Sequence, residues 1–441
     1  MFETIVALAT PPLRSALAIV RLSGDDCFFI VSKFFTKDIT KVEKNTIYHG
    51  FIKDEEELID EVVLLAYKGP RSFTGEDSVE IMSHGSPLIF NRIIKVALKN
   101  GARLATNGEY SSRAYAHGKL NLMQAESIND LINAETEESK KLSLMALKGD
   151  TAKLIEPLKK SLGDILSLIE VNIDYPEYLD IEEANNEKIV EICKENIEYI
   201  NKLIKDGVKG NIIKDGINVA IVGKPNVGKS SILNALLNEN KAIVTDVKGT
   251  TRDIVEGKIN LNGVLINLFD TAGIRESSDE VESIGIKKSI SKLRDSDIVL
   301  CVFDSQEYDE EDKEITKLVE GKNTIFVYNK KDLVQNNLDD KLYVSALNKD
   351  VEPLKKAIIE KLGLSKENYD NPSIANTREI GILENIKTIL EQVLIDVKSE
   401  IPIDLINSEL KEAYLKTLSI TGEDNDFDIA KEIFSRFCVG K

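Results

Sequence analysis

Residues 223 to 230 read Gly-Lys-Pro-Asn-Val-Gly-Lys-Ser. The spacing G-x-x-x-x-G-K-S is that of a phosphate-cradling loop, and it dictates the structure on either side of itself. A polyphosphate needs several donors aimed at one concave point. Backbone N–H groups supply them where Gly223 and Gly228 let the chain turn tightly. Lys229 is placed to reach the β- and γ-phosphates, and the Ser230 hydroxyl to ligate Mg²⁺. The loop must leave a strand and enter a helix whose N-terminus faces the anion. Ile217 to Val222 reads as that buried strand, and Ser231 to Leu237 as that helix.

Four further elements follow in an order that narrows the nucleotide. Asp270-Thr271-Ala272-Gly273 follows an apolar strand, Leu265 to Phe269. A carboxylate there suits the Mg²⁺ shell, and the Gly273 N–H suits a γ-phosphate. Asn329-Lys330-Lys331-Asp332 follows the strand Thr324 to Tyr328. N-K-x-D reads guanine, because the aspartate accepts two N–H bonds from a base edge that adenine does not offer. Ser345-Ala346, after Leu342-Tyr343-Val344, completes the base pocket. Gly249-Thr250-Thr251-Arg252-Asp253 lies between the first two elements as a switch loop with a threonine for Mg²⁺. Together they specify a GTP-binding domain.

At 441 residues the chain has room for two to four domains. Net charge is −18, which argues against broad nucleic-acid coating, though not against a local basic groove. No apolar run approaches membrane-spanning length, and Met1-Phe2-Glu3-Thr4 lacks the basic start of a signal peptide. Cys27, Cys193, Cys301 and Cys438 lie far apart, as do His49, His84 and His117. They suggest neither a disulfide framework nor a metal site beyond the nucleotide's Mg²⁺. A reducing cytoplasmic setting and no membrane contact are the expectation.

The texture changes three times along the chain. Residues 1–118 read as an α+β domain, with strands expected at Thr4–Thr10, Ala16–Leu22, Glu61–Tyr67 and Ser78–Met82 and a helix at Ile89–Leu98. From 119 to 212 the period turns helical: Leu158, Leu162, Ile165 and Ile169 share one helix face and read as bundle core. Residues 216–365 alternate strands and helices, with Asn262-Gly263 as a type I′ hairpin turn. Over 373–441 the helical period returns in Ile382, Ile386, Ile389 and Val393. The pattern predicts an α-helical bundle interrupted by an inserted α/β P-loop domain, since the termini of a domain often lie close together.

The catalytic apparatus departs from that of small signalling GTPases. The position after D-T-A-G, usually a water-orienting glutamine, is Ile274, which cannot hydrogen-bond to water. Asp279, Glu280 and Glu282 follow in the switch region. Positive charge at the leaving oxygen could come from Arg252, Arg275 or a bound monovalent cation, for which the Asn226 carbonyl is suited.

In these motifs, and in others outside them, the chain resembles the MnmE (TrmE) family of tRNA-modifying GTPases over its full length. The central region carries G-K-P-N-V-G-K-S-S, T-D-V-K-G-T-T-R-D, D-T-A-G-I-R and N-K-K-D. The N-terminal region carries T-I-V-A-L-A-T-P-P, I-V-R-L-S-G, S-F-T-G-E-D-S-V-E and H-G-S-P. The chain ends Phe434-Ser435-Arg436-Phe437-Cys438-Val439-Gly440-Lys441, close to F-C-I-G-K. Two departures stand out: Pro12-Leu13-Arg14-Ser15-Ala16-Leu17 replaces a glycine-rich turn, and His84-Gly85-Ser86 replaces H-G-G.

The resemblance implies an N-terminal domain that dimerises and binds a tetrahydrofolate derivative at Arg21, Glu80, Lys119 and Lys441. It implies GTP contacts at Asn226, Val227, Gly228, Lys229, Ser230 and Ser231. Further contacts would come from Thr245, Asp246, Val247, Lys248, Gly249, Thr250 and Thr251, from Asp270, Thr271, Ala272 and Gly273, and from Asn329, Lys330, Asp332, Ser345 and Ala346. Mg²⁺ would sit on Ser230 and Thr251, and K⁺ on Asn226, Thr245, Val247 and Thr250. Glu282 would act in catalysis through bridging water. Within a homodimer, two GTPase domains would meet across their nucleotides. With an FAD-dependent MnmG-type partner, the complex would add an aminomethyl-type group to the wobble uridine of certain tRNAs. Two other readings compete: a ribosome-assembly switch without modifying activity, and a one-carbon-transfer enzyme with a regulatory GTPase domain.

Overall fold

The computed structural model describes residues 3–174, 185–239, 257–270, 293–334, 341–424, 427–435, 437 and 440. The chain forms two compact units. One comprises Met1–Asn129, Leu158–Glu183 and Ile401–Lys441, the other Asp130–Pro157 and Ala184–Glu400.

The first unit is built on a six-stranded sheet. Its strands are β1 (Ile5–Leu8), β2 (Leu17–Ser23), β3 (Thr46–Asp54), β4 (Glu57–Tyr67), β5 (Ser78–His84) and β6 (Arg103–Leu104), in spatial order β3-β4-β5-β2-β1-β6. All neighbours run antiparallel except β1 and β6. Alternation sets the face: Val62, Leu64 and Ala66 of β4 point into the core, with Val20 and Leu22 of β2 and Ile81 of β5. Helix α1 (Cys27–Ser32) and helix α2 (Pro87–Lys99) cover that face. Phe90, Ile93, Val96 and Ala97 of α2 recur at helical spacing and are all buried. Helices α3 (Glu109–Ala116), α4 (Leu122–Asn133), α6 (Glu156–Asp174), α13 (Ile403–Thr421) and α14 (Phe427–Ser435) contribute the helical part. Leu158, Leu162, Ile165 and Ile169 of α6 are at most 1% exposed, so the expected stripe is core. Strand β3 was not among the expected strands. It is an edge strand whose alternate residues Ile47, His49 and Phe51 are exposed, so its apolar signal is diluted.

The second unit holds a parallel sheet of β7 (Ile217–Val222), β9 (Val264–Asp270), β10 (Ile298–Asp304), β11 (Thr324–Asn329) and β12 (Leu342–Tyr343). Antiparallel β8 (Gly257–Leu261) lies on one edge, and the order is β12-β11-β10-β7-β9-β8. Helices α8 (Lys229–Glu239), α9 (Glu310–Leu318) and α10 (Glu352–Leu362) accompany it. Both faces are covered, which is why β10 reads as the unbroken apolar run Ile298 to Phe303, buried throughout. The β8–β9 turn has φ of +51° at Asn262 and +87° at Gly263, the two left-handed residues that a type I′ turn requires. Helices α5 (Glu137–Leu147), α7 (Asn186–Asp215), α11 (Lys366–Asp370) and α12 (Thr377–Lys398) complete the unit. On α12 the buried face is Leu383, Ile386, Leu390, Val393 and Val397. Ile382 and Ile389, expected there, lie on its flank, because the leucines one position on define the centre of the stripe. Gly207 and Gly210 occur mid-helix in α7 for a steric reason. A Cβ on Gly207 would stand 2.3 Å from the Ile374 carbonyl, and one on Gly210 would stand 2.1 Å from Ser373 Oγ.

Candidate nucleotide and ring-binding sites

Strand β7 ends at Val222, and the chain turns through 223–228 into α8. Three residues of the turn have positive φ: Gly223 (+155°), Asn226 (+64°) and Gly228 (+95°). Pro225 and Asn226 are exposed at its crest, whereas Val227 is buried beneath. Lys229 Nζ donates to the carbonyls of Gly223 and Lys224, 2.9 Å each, so the loop's own backbone aims the ammonium. Ser230 and Ser231 are exposed at the N-terminus of α8, where the helix dipole favours an anion.

The base-reading segment is tied to this loop by one side chain. Asn329 is 3% exposed. Its Nδ2 donates to the Val227 carbonyl (2.8 Å), and its Oδ1 accepts from the Ala346 N–H (3.1 Å). Asn329 therefore braces the phosphate loop and the Ser345-Ala346 turn against each other. Lys330 follows in the left-handed region at φ +65°. Ser305 holds it there, its Oγ donating to the Lys330 carbonyl (2.9 Å), and Lys330 Nζ pairs with Asp304 at 2.6 Å. Burial pushes the Asp304 carboxyl up, but the Lys330 ammonium and the Gln306 N–H outweigh it and hold the pKa below the ordinary value. Ser345 Oγ donates to Asp332 Oδ1 at 2.5 Å, orienting a carboxylate that is otherwise exposed. Leu333 and Leu347, 54% and 81% exposed, stand beside these residues as apolar surface.

These contacts bring Val227, Gly228, Lys229, Asn329, Lys330, Asp332, Ser345 and Ala346 into one site. Asp270 closes β9, hydrogen-bonded beside β7, with its side chain outside what the structure describes. Thr245, Asp246, Val247, Lys248, Gly249, Thr250, Thr251, Thr271, Ala272, Gly273 and Glu282 lie outside the described residues, as do Arg252, Ile274 and Arg275.

In the first unit, Arg21 and Glu80 face each other across β2 and β5. Arg21 Nε donates to Glu80 Oε1 at 2.9 Å, and a second nitrogen approaches the same oxygen at 2.8 Å. A third contact runs from Arg21 to the Gly440 carbonyl at 3.1 Å, one residue before Lys441, which itself lies outside the described residues. The guanidinium lies over the rings of Phe73 (5.8 Å) and Tyr110 (5.5 Å). Phe73 is 42% exposed, leaving ring surface for a flat ligand. Lys119 Nζ donates to the Pro70 carbonyl (2.9 Å), and its stem passes near Gly75, placing it beside the same 70–75 loop. The two departures from the family pattern meet in space: Ser15 N–H donates to the Gly85 carbonyl at 3.0 Å.

The acidic part of Ser72-Phe73-Thr74-Gly75-Glu76-Asp77-Ser78 does structural work. Glu76 is buried against Arg113 (3.0 Å) and accepts from Ser23 Oγ (2.7 Å). Asp77 accepts from the Gly69 N–H and pairs with Lys68. Arg113 also meets Glu109, which pairs with Arg103. Burial pushes the Glu109 carboxyl up, yet Arg103, the Thr106 N–H and Arg113 hold it down at about 2. Among the described residues no group of acidic, histidine or cysteine side chains forms a metal cluster, and no helix is long and apolar enough to cross a membrane. Cys27, Cys193 and Cys301 are buried, and burial pushes the thiols of the latter two up to about 12. Cys438 lies outside the described residues.

Residues 4–119 match the family described as GTP-binding protein TrmE N-terminus, and residues 122–438 match the MnmE helical domain. The tRNA modification GTPase MnmE of Malacoplasma penetrans is 44% identical over 445 residues, covering 100% of both chains. That of Ligilactobacillus salivarius is 41% identical over 460 residues, covering 100% of this chain and 98% of its own. Among solved structures, the FeoB G-domain from Methanococcus jannaschii is 27% identical with a TM-score of 0.26, covering 34% of this chain and 98% of that chain.

Proposed function

The chain belongs to the MnmE family of tRNA modification GTPases, and from that premise we propose how its residues divide the work. It is a GTP-hydrolysing enzyme of tRNA modification. GTP binds with its phosphates on the loop around Lys229 and its base against Asp332, Ser345 and Ala346. The observation that carries this reading is the Asn329 brace, which fixes the two halves of the site at one spacing.

Residues 216–365 act as the GTPase domain, 119–212 and 373–441 as the helical domain, and 1–118 as the folate-binding and dimerisation domain. Ser230 is exposed at a helix N-terminus, and its hydroxyl is a hard oxygen of the kind Mg²⁺ prefers, with Thr251 as second ligand. Asn226, exposed at the loop crest, offers a carbonyl to K⁺ with Thr245, Val247 and Thr250. Bound there, the cations supply charge stabilisation at the phosphates. Glu282 orients the attacking water in place of a glutamine. In the first unit, the Arg21–Glu80 pair lies against the exposed Phe73 ring, and the Lys119 ammonium lies beside the 70–75 loop that carries that ring. That donor set fits a reduced pterin with its glutamyl carboxylate, held by Arg21, Glu80, Lys119 and Lys441. The chain works as a cytoplasmic homodimer, and with an FAD-dependent MnmG-type partner it installs an aminomethyl-type group on wobble uridine.

Mass spectrometry of tRNA from cells lacking this chain tests the reading. Loss of the wobble modification, restored by the wild-type chain and not by Lys229→Ala, is expected. Intact modification alongside a ribosome-subunit defect would reject it in favour of an assembly switch. Equal GTP turnover in sodium and potassium buffers would remove the K⁺ site.

A further inference from the structure

Lys224 is the second residue of the phosphate loop, and its side chain turns to a helix. Its ammonium reaches Asp309 Oδ2 at 2.7 Å and Asp312 Oδ2 at 2.8 Å. These aspartates are the N-cap and third residue of α9 and form a reciprocal capping box. Asp309 Oδ1 accepts from the Asp312 N–H (3.2 Å), and Asp312 Oδ2 accepts from the Asp309 N–H (3.0 Å). The Asp312 side chain is wholly buried, and its Oδ1 has no hydrogen-bond partner among the described residues. Lys224 is thus the cation that answers a buried carboxylate, and its own side chain is 13% exposed. Burial opposes its charge, but the hydrogen bonds to Asp309 and Asp312 raise its pKa above the ordinary lysine value. At its other end, the Lys224 carbonyl accepts from Lys229 Nζ at 2.9 Å.

We propose that Lys224 is a positioning residue for the phosphate site: α9 holds its ammonium, and its carbonyl sets where the Lys229 ammonium stands. The inference rests on the reading that Lys229 contacts the phosphates. Gly223 and Gly228 turn freely, but Asn226 sits in the left-handed region at φ +64°, a strained position that persists when its surroundings over-determine it. Two anchors do so. Asn329 holds the far end at Val227, and the Asp309–Asp312 clamp holds the near end at Lys224. Freed of the clamp, the Lys224 carbonyl can rotate and take the Lys229 ammonium with it. A misplacement of about 1 Å at a charged catalytic contact costs on the order of a hundredfold in rate.

The test compares four variants of the full chain by GTP turnover, GDP affinity and thermal midpoint. Lys224→Gln should lower kcat by about tenfold or more, and it should also melt earlier because Asp312 is left unanswered. Asp309→Asn keeps an N-cap acceptor and loses only charge, so its midpoint should hold while kcat falls a few-fold. Lys224→Arg should restore turnover to within about threefold of wild type, since a guanidinium can meet both carboxylates. The deciding variant is Lys224→Gln with Asp312→Asn. It removes the unpaired charge and should recover the melting midpoint while kcat stays low. Recovery of both together would show that Lys224 only stabilises the fold and would overturn the proposal, as would wild-type kcat in Lys224→Gln. If Lys229→Ala binds GDP as tightly as wild type, the underlying phosphate assignment falls, and the clamp's role falls with it.

Discussion

Gly228 occupies the last position before α8, at φ +95°, and a side chain there has no room. A Cβ built on it would lie 2.2 Å from Asn329 Nδ2 and 3.5 Å from its Cγ. That amide is not free to swing, because it is buried and bonded at both ends, to Val227 and Ala346. Gly228→Ala therefore carries two costs. The left-handed backbone costs a non-glycine residue about 1–2 kcal/mol. Pushing the amide aside loses its hydrogen bond and leaves the buried Val227 carbonyl short of a donor, about 1–3 kcal/mol more. With partial relaxation, about 3 kcal/mol falls on the binding-competent geometry, or roughly a hundredfold in affinity. Calorimetric titration with GDP reads this directly. Gly363→Ala is the control: its φ is +60°, but nothing lies within 4 Å of the new Cβ. It should melt slightly earlier and bind GDP normally. Gly228→Ala binding GDP within threefold of wild type would refute the brace, as would an equal loss in Gly363→Ala.

Asp332→Asn should weaken GTP by more than about tenfold and admit xanthosine triphosphate, whose base edge complements an amide; retained GTP preference in competition binding would disprove the base pocket. Glu282→Ala should slow GTP hydrolysis while leaving GDP affinity near wild type; unchanged turnover would remove Glu282 from the chemistry. Arg113→Met leaves the buried Glu76 carboxylate without its cation, while Glu109 keeps Arg103, and should cost about 3–5 kcal/mol in denaturant unfolding. Glu109 also sets an acid limit. Its folded pKa of about 2 lies below the ordinary 4.5, so its stabilisation is complete above about pH 4.5 and is lost as pH falls toward 2. That contribution is roughly 3 kcal/mol at most. A wild-type stability curve flat across that window, or no change from Glu109→Gln at pH 7, would contradict it.

Much of the second unit is legible in the sequence because its signals are local. Strand Ile217–Val222 lies where the apolar run places it, and the Asn262-Gly263 turn takes the backbone its residues favour. The motif residues around Lys229, Asn329 and Ser345 converge because each follows a strand of one parallel sheet, whose strand ends share an edge. What the sequence hides is partnership across long separations. Nothing near Asn329 announces that its amide serves Val227 and Ala346 rather than solvent. Asp309-x-x-Asp312 is a legible helix start, yet its second task, holding Lys224, needs the fold to bring 224 and 309 together. In the first unit, Glu76 and Asp77 sit in a conspicuous acidic motif and turn out to be braced internally, while Phe73 offers the exposed surface. Polar residues in a motif do not reveal from sequence which of them face inward. Edge strand β3 is illegible for the complementary reason, since exposed apolar residues blur the alternation that marks a strand.

The most direct measurement is a calorimetric titration of the intact chain with GDP and, separately, ADP, repeated on Lys229→Ala. Saturable binding of GDP alone, weakened at least tenfold in Lys229→Ala, is the result expected for a guanine nucleotide seated on that loop. Equal heats for the two nucleotides, or GDP binding untouched by the substitution, would contradict it.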